Sequence, residues 1–210
     1  MKKTALITGA SSGIGKATAR AFAKANINLI LCGRREEELK MLKEELSSEK
    51  VSVTTLRFDV RDKTEVFEKI KSLPAEFSQI DILVNNAGNA HGLNPIQDGS
   101  LEDWDAMIDI NVKGLLYVSK AIIPQMVERK AGHIINIGST AGKEVYLNGN
   151  VYCASKFAVD AINQSMRMDL NSFGIRVGAI NPGLVHTKFS KVRFKGDEER
   201  AEKVYKGFQP

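Results

Sequence analysis

Six short apolar runs recur along the chain, at residues 5–8, 27–32, 51–58, 80–84, 133–137 and 176–180, and a longer amphipathic or charged stretch separates each from the next. Apolar residues that run on, instead of alternating with polar ones, describe strands buried on both faces. Such strands run parallel and need crossover helices, so the pattern predicts a doubly wound α/β fold, a parallel sheet with helices on both faces. Helices are expected at 14–25, 35–46, 63–72, 101–109, 112–129 and 152–172, with Pro124 bending the fifth. No linker, repeat or low-complexity tract breaks the 210 residues, which predicts a single domain over 1–210. After Pro182-Gly183 the chain turns charged and polar, so residues 183–210 are expected as a substrate loop. A sheet that closes on its sixth strand without a further helix also suggests that a C-terminal strand and helix are missing.

Composition narrows the partners. The chain is 43% hydrophobic and 26% charged, which excludes a disordered chain. Its net charge of +5 suits an anionic partner, but the lysines and arginines are scattered, which favours a phosphate-bearing small molecule over nucleic acid. Cys32 and Cys153 have neither metal spacing nor a disulfide framework, so no metal is expected and free thiols point to a reducing compartment. The N-terminal apolar run stops at Gly9, too early for a signal peptide, and no stretch is long enough to span a membrane. A cytoplasmic protein with no membrane partner is expected.

Thr8-Gly9-Ala10-Ser11-Ser12-Gly13-Ile14-Gly15 follows the first strand and opens the first helix. Small residues let backbone N–H groups approach a pyrophosphate, and the helix N-terminus adds partial positive charge. A glycine-rich turn can also be no more than a tight strand–helix link. Its place after the first strand of an α/β sheet favours a dinucleotide and a Rossmann-type sheet. The second strand ends Leu31-Cys32-Gly33-Arg34-Arg35, with no carboxylate to grip a ribose 2′-hydroxyl. Two guanidiniums there suit a 2′-phosphate and select NADP over NAD; the alternative is that they begin a solvated helix face, as Glu36, Glu37 and Glu38 do. Lys16 is expected to face water. Asp59, at the end of the third strand, can accept a bond from the adenine amino group or cap the next helix.

Tyr152 and Lys156 stand four positions apart on the sixth predicted helix and share a face. Ser139 ends the fifth strand, Asn85-Asn86-Ala87-Gly88 ends the fourth, and Asn111 lies in a following helix. Taken in order, Thr-Gly-x-x-x-Gly-x-Gly, Asn-Asn-Ala-Gly, Asn111, Ser139, Tyr-x-x-x-Lys and Pro182-Gly183 resemble the short-chain dehydrogenase/reductase family along the whole chain. The resemblance implies an oxidoreductase that moves a hydride between a nicotinamide and a carbonyl or secondary alcohol. By position it makes Tyr152 the acid/base, Lys156 its activator, Ser139 the ligand of the substrate oxygen and Asn111 the relay to solvent, although a buried Asn can simply fasten backbone. It places Gly9, Ser11, Gly13, Ile14 and Gly15 along the phosphates, and Arg34 and Arg35 at the adenosine phosphate. Asp59 and Val60 would flank the adenine and Asn86 the adjacent ribose, while Pro182, Gly183, Val185 and Thr187 would lie along the nicotinamide. A free tyrosine titrates at about 10, so the Lys156 ammonium, together with the positive ring of oxidised nicotinamide, is expected to favour the phenolate.

Three stretches, Gly132–Gly142, Gly149–Tyr152 and Phe189–Asp197, are similar to the NADP-dependent 3-hydroxy acid dehydrogenase group, which includes serine 3-dehydrogenases and malonic semialdehyde reductases. The similarity implies a small 3-hydroxy acid of the serine, allo-threonine or 3-hydroxypropionate type, or the matching 3-oxo acid. A general carbonyl or 3-oxoacyl reductase and an NADPH-binding redox regulator without turnover are the alternatives. Lys188, Lys191, Arg193 and Lys195 follow Pro182, and Arg193 is expected to clamp the substrate carboxylate from a closing lid; the alternative is a mobile basic loop. His186 departs from the small residue expected beside the cofactor, and Cys153 is expected to pack. Family members usually continue with another helix and a seventh strand and form tetramers. A homo-oligomer is therefore expected, as a dimer here through the helices that carry Leu115 and Ile162.

Overall fold

The computed structural model describes residues 2–206. Its strands are β1 (Thr4–Thr8), β2 (Asn28–Gly33), β3 (Val53–Arg57), β4 (Ile82–Asn85), β5 (Gly132–Ile137) and β6 (Ile175–Ile180). They form one parallel sheet in the order β3-β2-β1-β4-β5-β6, the doubly wound arrangement that the apolar runs predict. The helices are α1 (Gly13–Lys24), α2 (Glu36–Glu45), α3 (Lys63–Lys71), α4 (Leu101–Ile108), α5 (Leu115–Arg129), α6 (Asn150–Leu170), α7 (Phe189–Arg193) and α8 (Glu198–Lys203).

Alternate residues of one strand feed two cores, because successive side chains point to opposite faces. Ile7 of β1 and Leu29 and Leu31 of β2 pack with Ala19 and Ala23 of α1 and Leu39 and Leu42 of α2. Leu6 and Ile30 point the other way and join Val66 of α3, Val118 and Ile122 of α5, and Val159 of α6. Each fully buried Leu or Ile contributes about 1.5–3 kcal/mol of transfer free energy. The helix α1 can lie close on the sheet because its inner face is Gly15, Ala19 and Ala23. A Cβ on Gly15 would come to 2.5 Å from the Gly9 carbonyl oxygen.

The carboxyl ends of β1 and β4 are clasped together where the strand order reverses. Thr8 Oγ1 accepts hydrogen bonds from the backbone N–H of Asn86 (3.0 Å) and of Ala87 (2.9 Å). In return, Asn86 Nδ2 donates to the carbonyls of Thr8 (2.8 Å) and Gly9 (3.2 Å). Below this clasp the sheet face carries a buried amide chain. Asn85 Nδ2 donates to Ser119 Oγ and to Asn136 Oδ1, both at 2.9 Å, and Asn136 Nδ2 donates to Asn163 Oδ1 at 3.1 Å.

Two expectations change. The predicted helices 101–109 and 112–129 are joined by a π-helical turn, Asp109–Gly114, and α5 includes Pro124. Residues 183–206 are not a structureless loop either. They fold into α7 and α8, and Asp197 caps α8 by accepting from the Arg200 N–H at 3.0 Å. The last four positions of the expected loop, 207–210, lie outside the described residues. Leu115 is buried in its own core, while Leu116 on α5 and Phe157 and Met168 on α6 are exposed apolar residues. No helix of the described residues is long and apolar enough to cross a membrane.

The amide chain makes a stability prediction. Asn136 is fully buried and bonded on both sides, so Asn136→Ala takes one hydrogen bond from each of the Asn85 and Asn163 amides and opens a cavity. Urea unfolding is expected to show a loss of about 2–4 kcal/mol at an unchanged m-value. A loss under about 1 kcal/mol would show that the chain contributes little to the fold.

Candidate active site

A cavity of about 900 Å³ opens along the carboxyl ends of the strands, at the point where the order reverses between β1 and β4. Every site residue singled out in the sequence lines it except Gly15 and Asn111. Gly15 lies beneath the turn, where it lets helix and strand approach. Asn111 sits in the π-helical turn, its Oδ1 accepting from the Asn89 N–H (2.9 Å) and its Nδ2 donating to the Asn89 carbonyl (2.8 Å) and to Ser155 Oγ (2.9 Å). Its side chain thus fastens the loop after β4 to α6.

At one end of the cavity, Gly9 (φ +65°) and Gly13 (φ +53°) hold a backbone that side-chain-bearing residues rarely adopt. Ser12 begins α1 without capping it, and the first turn of α1 carries no acidic residue. The free N–H groups and the dipole there suit an anion. Arg35 donates to Ser11 Oγ (2.8 Å) and Ser12 Oγ (2.8 Å), which draws its guanidinium onto the turn instead of outward along α2. Arg34 is more exposed and lies 3.7 Å from Asp59. Asp59 does not cap α3; Asp62 does, accepting from the Glu65 N–H at 2.9 Å. Burial opposes ionisation of Asp59, but hydrogen bonds from Arg61 and the charge of Arg34 outweigh it and hold the carboxyl below the usual range. Lys16 pairs with Glu45 at 3.4 Å on the helix flank.

At the other end, β5 delivers Ser139 and α6 delivers Tyr152 and Lys156 one turn apart, all three buried. Ser139 Oγ accepts from the Ala141 N–H at 3.1 Å. Lys156 Nζ donates to the Ile137 carbonyl at 3.0 Å and lies 6.0 Å from the centre of the Tyr152 ring. Burial pushes the Tyr152 phenol above its ordinary value, while a hydrogen bond with Ser139 and the charge of Arg193 pull it down. Burial also pushes the Lys156 ammonium down to about 8. The chain alone therefore does not hold a phenolate at Tyr152.

Arg193, on α7, closes this end. It is 8% exposed, with its guanidinium carbon 5.6 Å from the ring centres of both Tyr146 and Tyr152. Arg193 and Gly92 exchange two hydrogen bonds: Arg193 Nε donates to the Gly92 carbonyl (2.8 Å), and the Gly92 N–H donates to the Arg193 carbonyl (3.0 Å). Sequence reasoning missed Tyr146 and the loop around Gly92, whose only local signal is the run of small and polar residues after Gly88. Pro182, Gly183, Val185 and Thr187 line the strip between the two ends. His186 is exposed and stacks on Tyr205 with ring centres 4.7 Å apart, and Cys153 is buried against Tyr152. Among the described residues no group of three or more His, Cys, Asp or Glu could hold a metal ion.

Comparison with known proteins bears on this geometry. The family described as short chain dehydrogenase matches residues 3–198. The NADP-dependent 3-hydroxy acid dehydrogenase YdfG of Salmonella typhi is 50% identical over 201 residues, covering 95% of this chain and 80% of that protein. Sulfoacetaldehyde reductase 2 of Chromohalobacter salexigens is 46% identical over 211 residues, covering 100% of this chain and 83% of that protein. The solved closed form of serine dehydrogenase complexed with NADP+ matches with a TM-score of 0.93 at 48% identity, over 98% of this chain and 82% of that one. Agreement of that extent, in sequence and in the strand order that builds the cavity, settles the kinship: the chain belongs to the short-chain dehydrogenase/reductase family.

Proposed function

We propose that the chain is an NADP-dependent oxidoreductase that moves a hydride between NADP(H) and a small 3-hydroxy acid or the matching 3-oxo acid, as one cofactor-binding and catalytic unit. The observation that carries the substrate class is Arg193. A guanidinium nine-tenths buried beside the Tyr152 ring, paired with no acidic side chain among the described residues, calls for an anion in the cavity. A carboxylate one carbon removed from the reacting carbinol answers that call. A sulfonate would too, and the relative named sulfoacetaldehyde reductase 2 makes a two-carbon sulfonate the second reading.

NADP would lie with its phosphates on the turn of Gly9, Ser11, Gly13 and Ile14, and its 2′-phosphate between Arg34 and Arg35. Asp59 and Val60 would meet the adenine. Asn86 is positioned for the adjacent ribose, and Pro182, Gly183, Val185 and Thr187 for the nicotinamide. When bound, the nicotinamide supplies or accepts the hydride. Tyr152 gives a proton to the substrate oxygen in reduction and takes it back in oxidation. Ser139 Oγ hydrogen-bonds the same oxygen and steadies the charge that develops there. Lys156 keeps a positive charge near the phenol below its own titration, and Arg193 adds a second. Asn111 acts by holding Asn89 and Ser155 in place, with any relay to solvent passing through that frame. The buried free thiols Cys32 and Cys153 fit a cytoplasmic setting, and exposed Leu116 and Phe157 on α5 and α6 fit a homo-oligomer.

Absorbance at the reduced-nicotinamide band tests the reading. NADP with L-serine or 3-hydroxypropionate is expected to give a rise that NAD does not match, and sulfoacetaldehyde with NADPH tests the second reading. Tyr152→Phe is expected to lower kcat by about 10²–10⁴-fold while NADP still binds. Full turnover in that variant would point to a different base, and NADPH binding without any turnover in the wild type would favour a binding protein. Arg193→Ala is expected to cut kcat/KM for acids by about 10²-fold and to leave neutral alcohols nearly unchanged, since it removes a charge-assisted pair. An unchanged preference for acids would remove the clamp.

The Lys156 titration gives a stability test with a definite sign. The folded chain holds this proton less tightly than the unfolded chain, whose lysine titrates at 10.5 against about 8 in the fold. The folded state therefore gains stability as pH rises from 8 to 10.5, and that gain is lost as pH falls through 8. Lys156→Met is accordingly expected to be more stable than the wild type at pH 7, by up to about 3 kcal/mol, and to lose that advantage near pH 10.5. Paired thermal melts at the two pH values read the difference, and an advantage that does not shrink with pH would refute the assignment.

A further inference from the structure

The geometry points to Asp103 and Lys195 as a latch that positions Arg193: their ion pair holds α7 shut against the start of α4 and so presents the guanidinium to Tyr152. This rests on the reading of Arg193 as the substrate's clamp. Lys195 Nζ lies 2.9 Å from Asp103 Oδ1; the Lys195 side chain is 66% exposed, but the Asp103 side chain is only 17% exposed, more sheltered than either acid of the pairs on α2. The pair joins parts of the chain far apart in sequence and lies two residues from Arg193, on the same side as the Arg193–Gly92 exchange. Ser100 caps α4 by accepting from the Asp103 N–H at 3.2 Å, so the carboxylate itself is not consumed as the cap.

The backbone supports the same reading. Lys195 follows the end of α7 with φ +53°, and Gly196 after it has φ +97°. The Lys195 N–H donates to the Val192 carbonyl at 3.1 Å and the Gly196 N–H to the Lys191 carbonyl at 2.9 Å, a helix ending whose left-handed position glycine normally fills. A lysine there strains the backbone. What it gains is a side chain that reaches Asp103. On the other wall Gly92, also left-handed at φ +64°, brings its carbonyl to Arg193, and a Cβ on it would lie 3.6 Å from Asp103 Oδ2. Lid and wall thus meet at two neighbouring points, one made by backbone and one by charge.

The Gly92 N–H reports closure, because its acceptor is the Arg193 carbonyl. Hydrogen exchange at that amide is to be compared in the wild type, Asp103→Asn, Lys195→Gly and the double variant. Lys195→Gly removes the latch while relieving the backbone, so its melting temperature is expected to hold or rise and misfolding cannot explain its behaviour. Protection of Gly92 is expected to fall about tenfold in each single variant and no further in the double, the mark of groups acting as a pair. KM for the acid should rise about as much with kcat little changed, because the clamp is misplaced and the proton-transfer groups are not. Unchanged protection in both single variants, or losses that simply add in the double, would overturn the latch. Lost protection with an unchanged KM for acids would leave the latch standing and overturn the reading of Arg193 as the clamp.

Discussion

The clasp between Thr8 and Asn86 is the interaction on which the rest of the site depends. A doubly wound sheet leaves a crevice where its strand order reverses, but reversal alone does not fix the depth of the crevice or the path of the loops above it. Here one threonine hydroxyl takes two backbone N–H groups from the end of β4, and one asparagine amide returns to two carbonyls at the end of β1. The glycine-rich turn is thereby held against the loop that leads to Asn89 and Gly92. Both ends of the cavity are referred to the same four hydrogen bonds.

Within that frame the electrostatics are one-sided. Lys156 and Arg193 are both buried, both lie near the Tyr152 ring, and neither forms an ion pair with an acidic side chain among the described residues. Two unpaired cations in a poorly hydrated cavity destabilise the fold, and the depressed titration of Lys156 is the sign of that cost. Evolution tolerates such strain where an anion relieves it in the working state. Phosphates at one end and a carboxylate at the other would do so. Substrate choice then follows from the same unfavourable charge that limits stability.

The sequence made the scaffold and the chemistry-bearing positions legible because each leaves a local trace. Apolar runs mark buried strands, and all six strands begin and end within two residues of where those runs place them. The spacing of Tyr152 and Lys156 needs only one helical turn to become a site. The π-helical turn at Asp109–Gly114 had no such trace, since one extra residue in a helix hardly changes its apolar period. The phenolate expected at Tyr152 draws on the charges of Lys156 and of an oxidised nicotinamide; a charge argument based on sequence neighbours leaves out burial, the largest influence on that phenol, which acts the other way.

Tyr146, Asp103 and the contacts of Gly92 and Lys195 left no trace for a related reason. Their importance lies in contacts between segments far apart in the chain, and a charged residue among charged residues looks like a solvated face. Arg193 was singled out as a clamp on its residue type alone; burial is what separates it in the fold from Lys188, Lys191 and Lys195. The short helix α7 decides that separation. Its five residues turn Ser190 and Arg193 inward and leave Lys191 and Val192 outside, so helical geometry selects which cation enters the cavity. A loop of the same composition would offer the substrate several interchangeable positive charges, and a helix offers one.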